Sequence, residues 1–202
     1  MLLKHPSLVK SLQMAYSAEK AAAYAYQGHA ACVKKDEEKK AIKQIEIDEW
    51  NHRAEVLNVM KEYDIPISAY YEFRFEVIGK IICYGCYLIG WFMPFYFAGR
   101  LESGNVCEYF HIKHYFNELG ITKHDQLFYD MGIKEKEHEV YFYEQIKNHK
   151  LLHFFEKIFA WGAVKSLNDI DLEKNISVTD SNLYCKNKTY HSKSNIHNKC
   201  PT

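Results

Sequence analysis

Apolar residues recur at steps of three and four along most of the chain, the spacing that gathers them on one face of an α-helix. In a first segment, about Pro6 to Val33, the residues Leu12, Tyr16, Glu19, Ala23, Tyr26, Ala30 and Val33 share such a face. The charged run from Lys34 to Lys40 reads as a solvated turn leading into a second helix, whose inner face holds Ile42, Ile45, Glu49, His52, Val56 and Val59. That helix stops before Pro66, because proline pushes the residue before it out of the helical conformation. From Ile81 to Ala98 the chain carries no charge, a length at the lower limit for a membrane span, although Pro94 and two glycines interrupt it. Helical spacing resumes through Glu102, Val106, Tyr109 and Phe116 to Leu119, and Gly120 suits the left-handed residue that closes a helix. Thr122 with Asp125 predicts a capping box with Asp in place of Glu. A fourth helix follows with Phe128, Met131, Glu135, His138, Phe142 and Gln145 on one face, then an amphipathic segment from Leu151 to about Leu167. After Asn168 the chain turns rich in Asn, Lys and Ser and poor in apolar residues. The expectation is a folded domain over 1–168 and a disordered polar tail over 169–202.

Composition narrows the class. Nine Gly and four Pro supply few turns for a sandwich or barrel, so the fold expected is all-α. Lys plus Arg and Asp plus Glu are 26 each, which leaves no net basic charge to hold nucleic acid. Six Cys show no compact disulfide framework, and Met1 to Pro6 lacks the apolar run of a signal peptide, so a reducing, cytoplasmic setting is expected. In that setting Asn187-Lys188-Thr189 is no glycosylation signal.

The chemistry lies in an echo between two helix pairs. Glu19 on the first helix precedes Glu49-Trp50-Asn51-His52 on the second, and Glu102 on the third precedes Glu135-Lys136-Glu137-His138 on the fourth. Residues three apart share a helix face, so each Glu-x-x-His pair points one way. Each pair lies within an apolar stripe, where an uncompensated charge is very costly. Residues on antiparallel helices meet at one height when the turn lies near their sequence midpoint. Glu19 and Glu49 are centred on Lys34, at the polar turn; Glu102 and Glu135 are centred between Glu118 and Leu119, just before Gly120. Glu108 is an alternative to Glu102, but with Glu102 the turn falls just after the midpoint in both hairpins. Four carboxylates and two imidazoles, from Glu19, Glu49, His52, Glu102, Glu135 and His138, are thus expected at one level of a four-helix bundle, the ligand set of di-iron and di-manganese carboxylate proteins. Hard carboxylates with imidazole suit two iron ions, or manganese.

This pattern resembles the ferritin-like superfamily and, within it, the demethoxyubiquinone hydroxylase family of ubiquinone biosynthesis. The shared features are the order Glu, E-x-x-H, Glu, E-x-x-H, the run from Glu19 to Tyr26-Gln27-Gly28, and the apolar C-terminal stretch from Phe155 to Gly162. The likeness covers roughly residues 10–168. There are departures. Ala15-Tyr16-Ser17-Ala18 stands where the family has Asp-His-Ala-Gly, Glu102-Ser103 where it has Glu-Glu, and Glu108-Tyr109 where it has His-Tyr. These bear on the quinone substrate more than on the metals. The resemblance implies a ferritin-like bundle with additional apolar helical segments and an O₂-dependent monooxygenase acting on a small apolar, quinone-like substrate with an external electron donor. It also implies peripheral association of Ile81 to Ala98 with the inner face of a membrane, and it admits a homodimer. The rival readings are a rubrerythrin- or ferritin-like protein that scavenges peroxide or oxidises iron, and a non-catalytic, metal-stabilised helical binding protein. For Ile81 to Ala98 the alternative to membrane docking is a buried helix.

Other residues read more plainly. Cys83-Tyr84-Gly85-Cys86 is a lone C-x-x-C and reads as small core residues; Cys185 and Cys200 do not complete a rubredoxin-type iron site. His111 and His114 read as exposed helix histidines. Tyr24, Tyr26 and Tyr109 read as aromatic core.

Overall fold

A computed structural model describes Leu3, residues 5–159 and Trp161. The tail expected over 169–202 and the end of the last amphipathic segment lie outside the described residues. Those described are all-α, with six helices and no strand. They form two compact units, one over Met1–Pro94 and one from Phe95 onward.

In the first unit, α1 spans Pro6–Cys32 and α2 spans Asp36–Glu62. Leu8 N–H donates to the His5 imidazole at the start of α1 (3.0 Å), and Pro6 sits in the first turn, where its missing N–H costs nothing. Asp36, Glu37 and Glu38 open α2, placing negative charge at the positive end of its dipole. The two helices are antiparallel. Gln27 donates to Glu46 (2.8 Å), Tyr24 meets Trp50 edge to face (5.9 Å), and Arg53 donates to the Tyr16 carbonyl. Every inner-face residue expected on α1 and α2 is buried.

The third helix, α3 (Ala69–Gly85), begins well before the uncharged run, with Tyr71 N–H donating to Ser68 Oγ (3.4 Å). It runs parallel to α1. Glu72 lies beside Ser17 and Lys20, Lys80 over the Tyr24 ring, and Cys83 against Gly28. Its amphipathicity is inverted. Glu72 and Glu76 bond inward to α1, whereas Tyr70, Phe73, Val77, Ile81, Tyr84 and then Leu88, at steps of three and four, are exposed. That inversion hides α3 from a search for an inward apolar stripe. The run from Ile81 to Ala98 is neither a single buried helix nor a span. It is divided among the end of α3, a break containing Gly90 at φ 77, and the start of α4. Among the described residues no helix is long and apolar enough to cross a membrane.

The helix α4 (Phe92–Glu118) continues into the second unit, followed by α5 (Asp125–Ile146) and α6 (Leu152–Phe159). Gly120, at φ 70, closes α4 with Ile121 N–H on the Phe116 carbonyl and Gly120 N–H on the Asn117 carbonyl, the paired bonds of a Schellman turn. The capping box expected at Thr122 and Asp125 does not form. His124 is the N-cap residue, without a side-chain hydrogen bond, and Asp125 N–H instead bonds the Thr122 carbonyl in a turn. α4 and α5 are antiparallel, joined by ring pairs Phe95–Phe142 (6.0 Å), Phe110–Tyr129 (6.0 Å) and Phe116–Phe128 (5.7 Å). The inner face of α5 ends on buried Ile146; Gln145 is exposed. α6 lays Phe155 and Phe159 on Tyr96 and Phe97.

Two glycines bring α1 and α3 together, Gly79 against the Ala21 backbone and Gly28 against Cys83. A Cβ on Gly28 would lie 2.6 Å from Cys83 Cα, so the helices are in backbone contact there. Gly28→Ala gains helix propensity but must separate them, and overpacking of this kind costs ~1–3 kcal/mol. The variant is expected to unfold at lower urea concentration than the wild type. Equal or greater stability would show that the contact is not held.

Candidate metal centre

The first unit brings Glu19 of α1 together with Glu49 and His52 of α2. One ligand atom from each lies within 4.8 Å of the others, and all three side chains are buried. The second unit does the same with Glu102 of α4 and Glu135 and His138 of α5. All six residues singled out from the sequence therefore fall into two triads of like composition, one in each antiparallel hairpin. Glu108, the alternative on α4, is half-buried and belongs to neither triad.

The donor chemistry fits a divalent cation. Each triad offers two carboxylates and one imidazole, hard donors suited to iron or manganese. Two carboxylates confined together out of water repel one another and lose their hydration, and a bound M²⁺ cancels both charges. Glu49 Oε1 and Oε2, Glu19 Oε2 and Glu135 Oε1 are buried atoms that accept no hydrogen bond. In each triad the buried Glu/His cluster can hold a metal ion.

Several supporting residues escaped the sequence reading. Asn105 donates to Glu102 Oε2 (2.9 Å) and to Glu135 Oε2 (3.4 Å), tying the carboxylates of α4 and α5. Its signal was present, since it lies three residues beyond Glu102 on the same face. Lys136 and Glu139, each beside a ligand in sequence, form a fully buried pair at 2.8 Å, and Trp161 Nε1 donates to Glu139 at 3.0 Å. Trp161 fits because a Cβ on Gly99 would occupy its ring. No helical periodicity announces an inward Lys.

In the first unit, Glu72 accepts from Ser17 Oγ (2.8 Å), Lys20 Nζ (2.9 Å) and both terminal nitrogens of Arg53 (3.0 and 2.9 Å). The Arg53 guanidinium also stacks over the Tyr16 ring at 3.6 Å. Burial pushes the Glu72 carboxyl up, but the hydrogen bonds from Arg53, Lys20 and Ser17 outweigh it and hold its pKa at about 2. A folded pKa below the ordinary 4.5 makes this stabilisation complete above the ordinary value and lost as pH falls through about 2. His29 shows the other sign. Burial, partly offset by the Glu38 charge, lowers its pKa to about 4, so it disfavours folding as pH falls from about 6.5 to 4.

The remaining candidates have ordinary surroundings. Cys83 is half-buried and Cys86 buried, both free thiols, and burial pushes the Cys86 pKa up to about 11, the reverse of an activated redox cysteine. His111 and His114 are half-buried rather than exposed, and His114 pairs with Glu118 at 3.2 Å. Tyr26 and Tyr109 are core, and Tyr24 is half-buried. Compared with models of known families, with curated proteins and with solved structures, the chain matches none.

The triad geometry separates the two candidates on α4. Glu102→Ala is expected to lose metal from the α4–α5 triad, whereas Glu108→Ala keeps it, as read by metal analysis after equilibrium dialysis against Fe(II) without oxygen. Retention by Glu102→Ala and loss by Glu108→Ala would reverse the assignment.

Proposed function

We propose that the chain is an O₂-dependent diiron monooxygenase of ferritin-like type, similar to the demethoxyubiquinone hydroxylases, acting on a small apolar, quinone-like substrate. The observation that carries this reading is the pair of buried Glu/Glu/His triads, each built on a Glu-x-x-His helix and its antiparallel partner. On this reading Glu19, Glu49 and His52 would hold one iron ion, and Glu102, Glu135 and His138 a second. Bound iron would supply the electrons and the Lewis acidity for O₂ chemistry.

The chain's own residues have definable roles. Glu19, Glu49, Glu102 and Glu135 would hold the cations and neutralise their charge. His52 and His138 would each offer an imidazole nitrogen to the metal. Asn105 keeps Glu102 and Glu135 aligned through its two hydrogen bonds. Buried aromatics on the helices that carry the triads, Tyr26 in the first unit and Tyr109, Phe110 and Phe128 in the second, would help keep water out and favour an apolar substrate. No Ser, Cys or Lys nucleophile is needed. Reducing equivalents come from an external donor.

The outward face of α3 supports delivery of the substrate from a lipid surface. Tyr70, Phe73, Ile81, Tyr84 and Leu88 are each 65–87% exposed, a contiguous apolar stripe of the kind that lies in a membrane interface. Flotation with phosphatidylcholine vesicles is expected to carry the protein upward, and replacing Phe73 and Leu88 with Ser should abolish it. A wild-type protein that stays at the bottom of the gradient removes lipid delivery from the proposal.

The reaction is tested by incubating the iron-loaded, reduced protein with ¹⁸O₂ and a cell lipid extract. A product heavier by one labelled oxygen is expected, with the second atom leaving as water. Rapid peroxide consumption without labelled product would replace the hydroxylase by a scavenger. Inertness to both oxidants in a metal-loaded protein would leave a structural metal site.

A further inference from the structure

The acidic inner face of α3 calls for an explanation, because an apolar face against α1 and α2 would avoid burying charge. Its partners supply one. Lys20 follows Glu19 in α1, and Arg53 follows His52 in α2. Neighbouring residues on a helix point about 100° apart, so when Glu19 and His52 face one another, Lys20 and Arg53 emerge on another side. There one carboxylate, Glu72, meets both, at 2.9 Å from Lys20 and bidentately at 3.0 and 2.9 Å from Arg53. Ser17, two residues before Glu19 and fully buried, adds a third donor at 2.8 Å. The Arg53 guanidinium further donates to the α1 backbone at the Tyr16 carbonyl, three residues before Glu19.

We infer that Glu72 is a positioning residue for the α1–α2 metal site, fixing from behind the rotation and rise of the two helices that carry Glu19, Glu49 and His52. The inference rests on the metal reading proposed above. Physically it follows from the tolerance of metal sites. Ligand geometry must be held to about half an ångström, and partners outside the ligand set affect metal affinity about 10–100-fold. A planar guanidinium held by both carboxylate oxygens resists rotation as well as separation. Glu76 and Lys80 extend the network outward, but Lys80 is half-exposed and its pair with Glu76 is peripheral.

The test is an anaerobic Co(II) titration of the full chain, followed by visible absorption, which reports both affinity and ligand geometry. The wild type is expected to bind two Co(II). Glu72→Gln is expected to weaken one of the two about 10–100-fold and shift its bands while the other keeps its affinity and spectrum. Lys80→Ala should leave both affinities within about twofold, as for an exposed ion pair. If Glu72→Gln binds both ions like the wild type, or weakens both alike, the inference is overturned while the metal reading stands. Should Glu72→Gln fail to fold, Ser17→Ala removes a single donor. A several-fold loss at one ion supports the inference, and unchanged binding overturns it. A wild type that binds no Co(II) defeats the metal reading itself.

Discussion

Four carboxylates buried out of water govern this molecule. Glu49, Glu102 and Glu135 are fully inaccessible and Glu19 nearly so, and each shares its pocket with another carboxylate. Apolar packing alone does not tolerate such groups, since removing a carboxylate from water without compensation costs far more than a domain's net stability. Their presence on otherwise apolar helix faces is intelligible if cations belong there. Within each antiparallel hairpin, a turn close to the midpoint of the Glu pair brings its two carboxylates to one height.

Both units place a second set of buried charges next to the triad residues in sequence. In the first unit Arg53 and Lys20 converge on Glu72, and in the second Lys136 pairs with Glu139 under the indole of Trp161. Each of these basic residues immediately follows a ligand in sequence. A buried ion pair contributes little net stability compared with apolar packing of the same shape, but breaking one by removing a single partner costs ~3–5 kcal/mol. Such pairs therefore fix geometry more than they add stability, which is what rigid metal ligation requires. The same arrangement explains α3, a helix with its charges turned inward and its aromatic and aliphatic side chains turned to the outside.

Much of this was legible in the chain itself. Four helices announced themselves by period, and the ligand faces of α1 and α2 agree residue by residue with burial. The six residues that gather in the two buried triads followed from a repeated motif and a midpoint argument. What escaped has physical causes. α3 carries its polar groups inward, so a search for an inward apolar stripe passes over Ala69 to Lys80. Lys136 and Glu139 drew no notice because nothing local marks a buried pair. The turn before α5 offered a capping box by residue type, yet backbone bonds at Thr122 and His124 took its place. Asn105 was within reach, being on the ligand face, but an amide carries no charge to draw attention.

We propose one metal ion for each buried Glu/Glu/His triad. It is tested most directly by loading the metal-free protein with ⁵⁷Fe(II) without oxygen, counting the iron per chain, and recording Mössbauer spectra in applied field before and after oxidation. Two irons per chain are expected, each with the Mössbauer parameters of carboxylate and imidazole ligation. Fewer than two irons, or irons bound without such ligation, would contradict the reading.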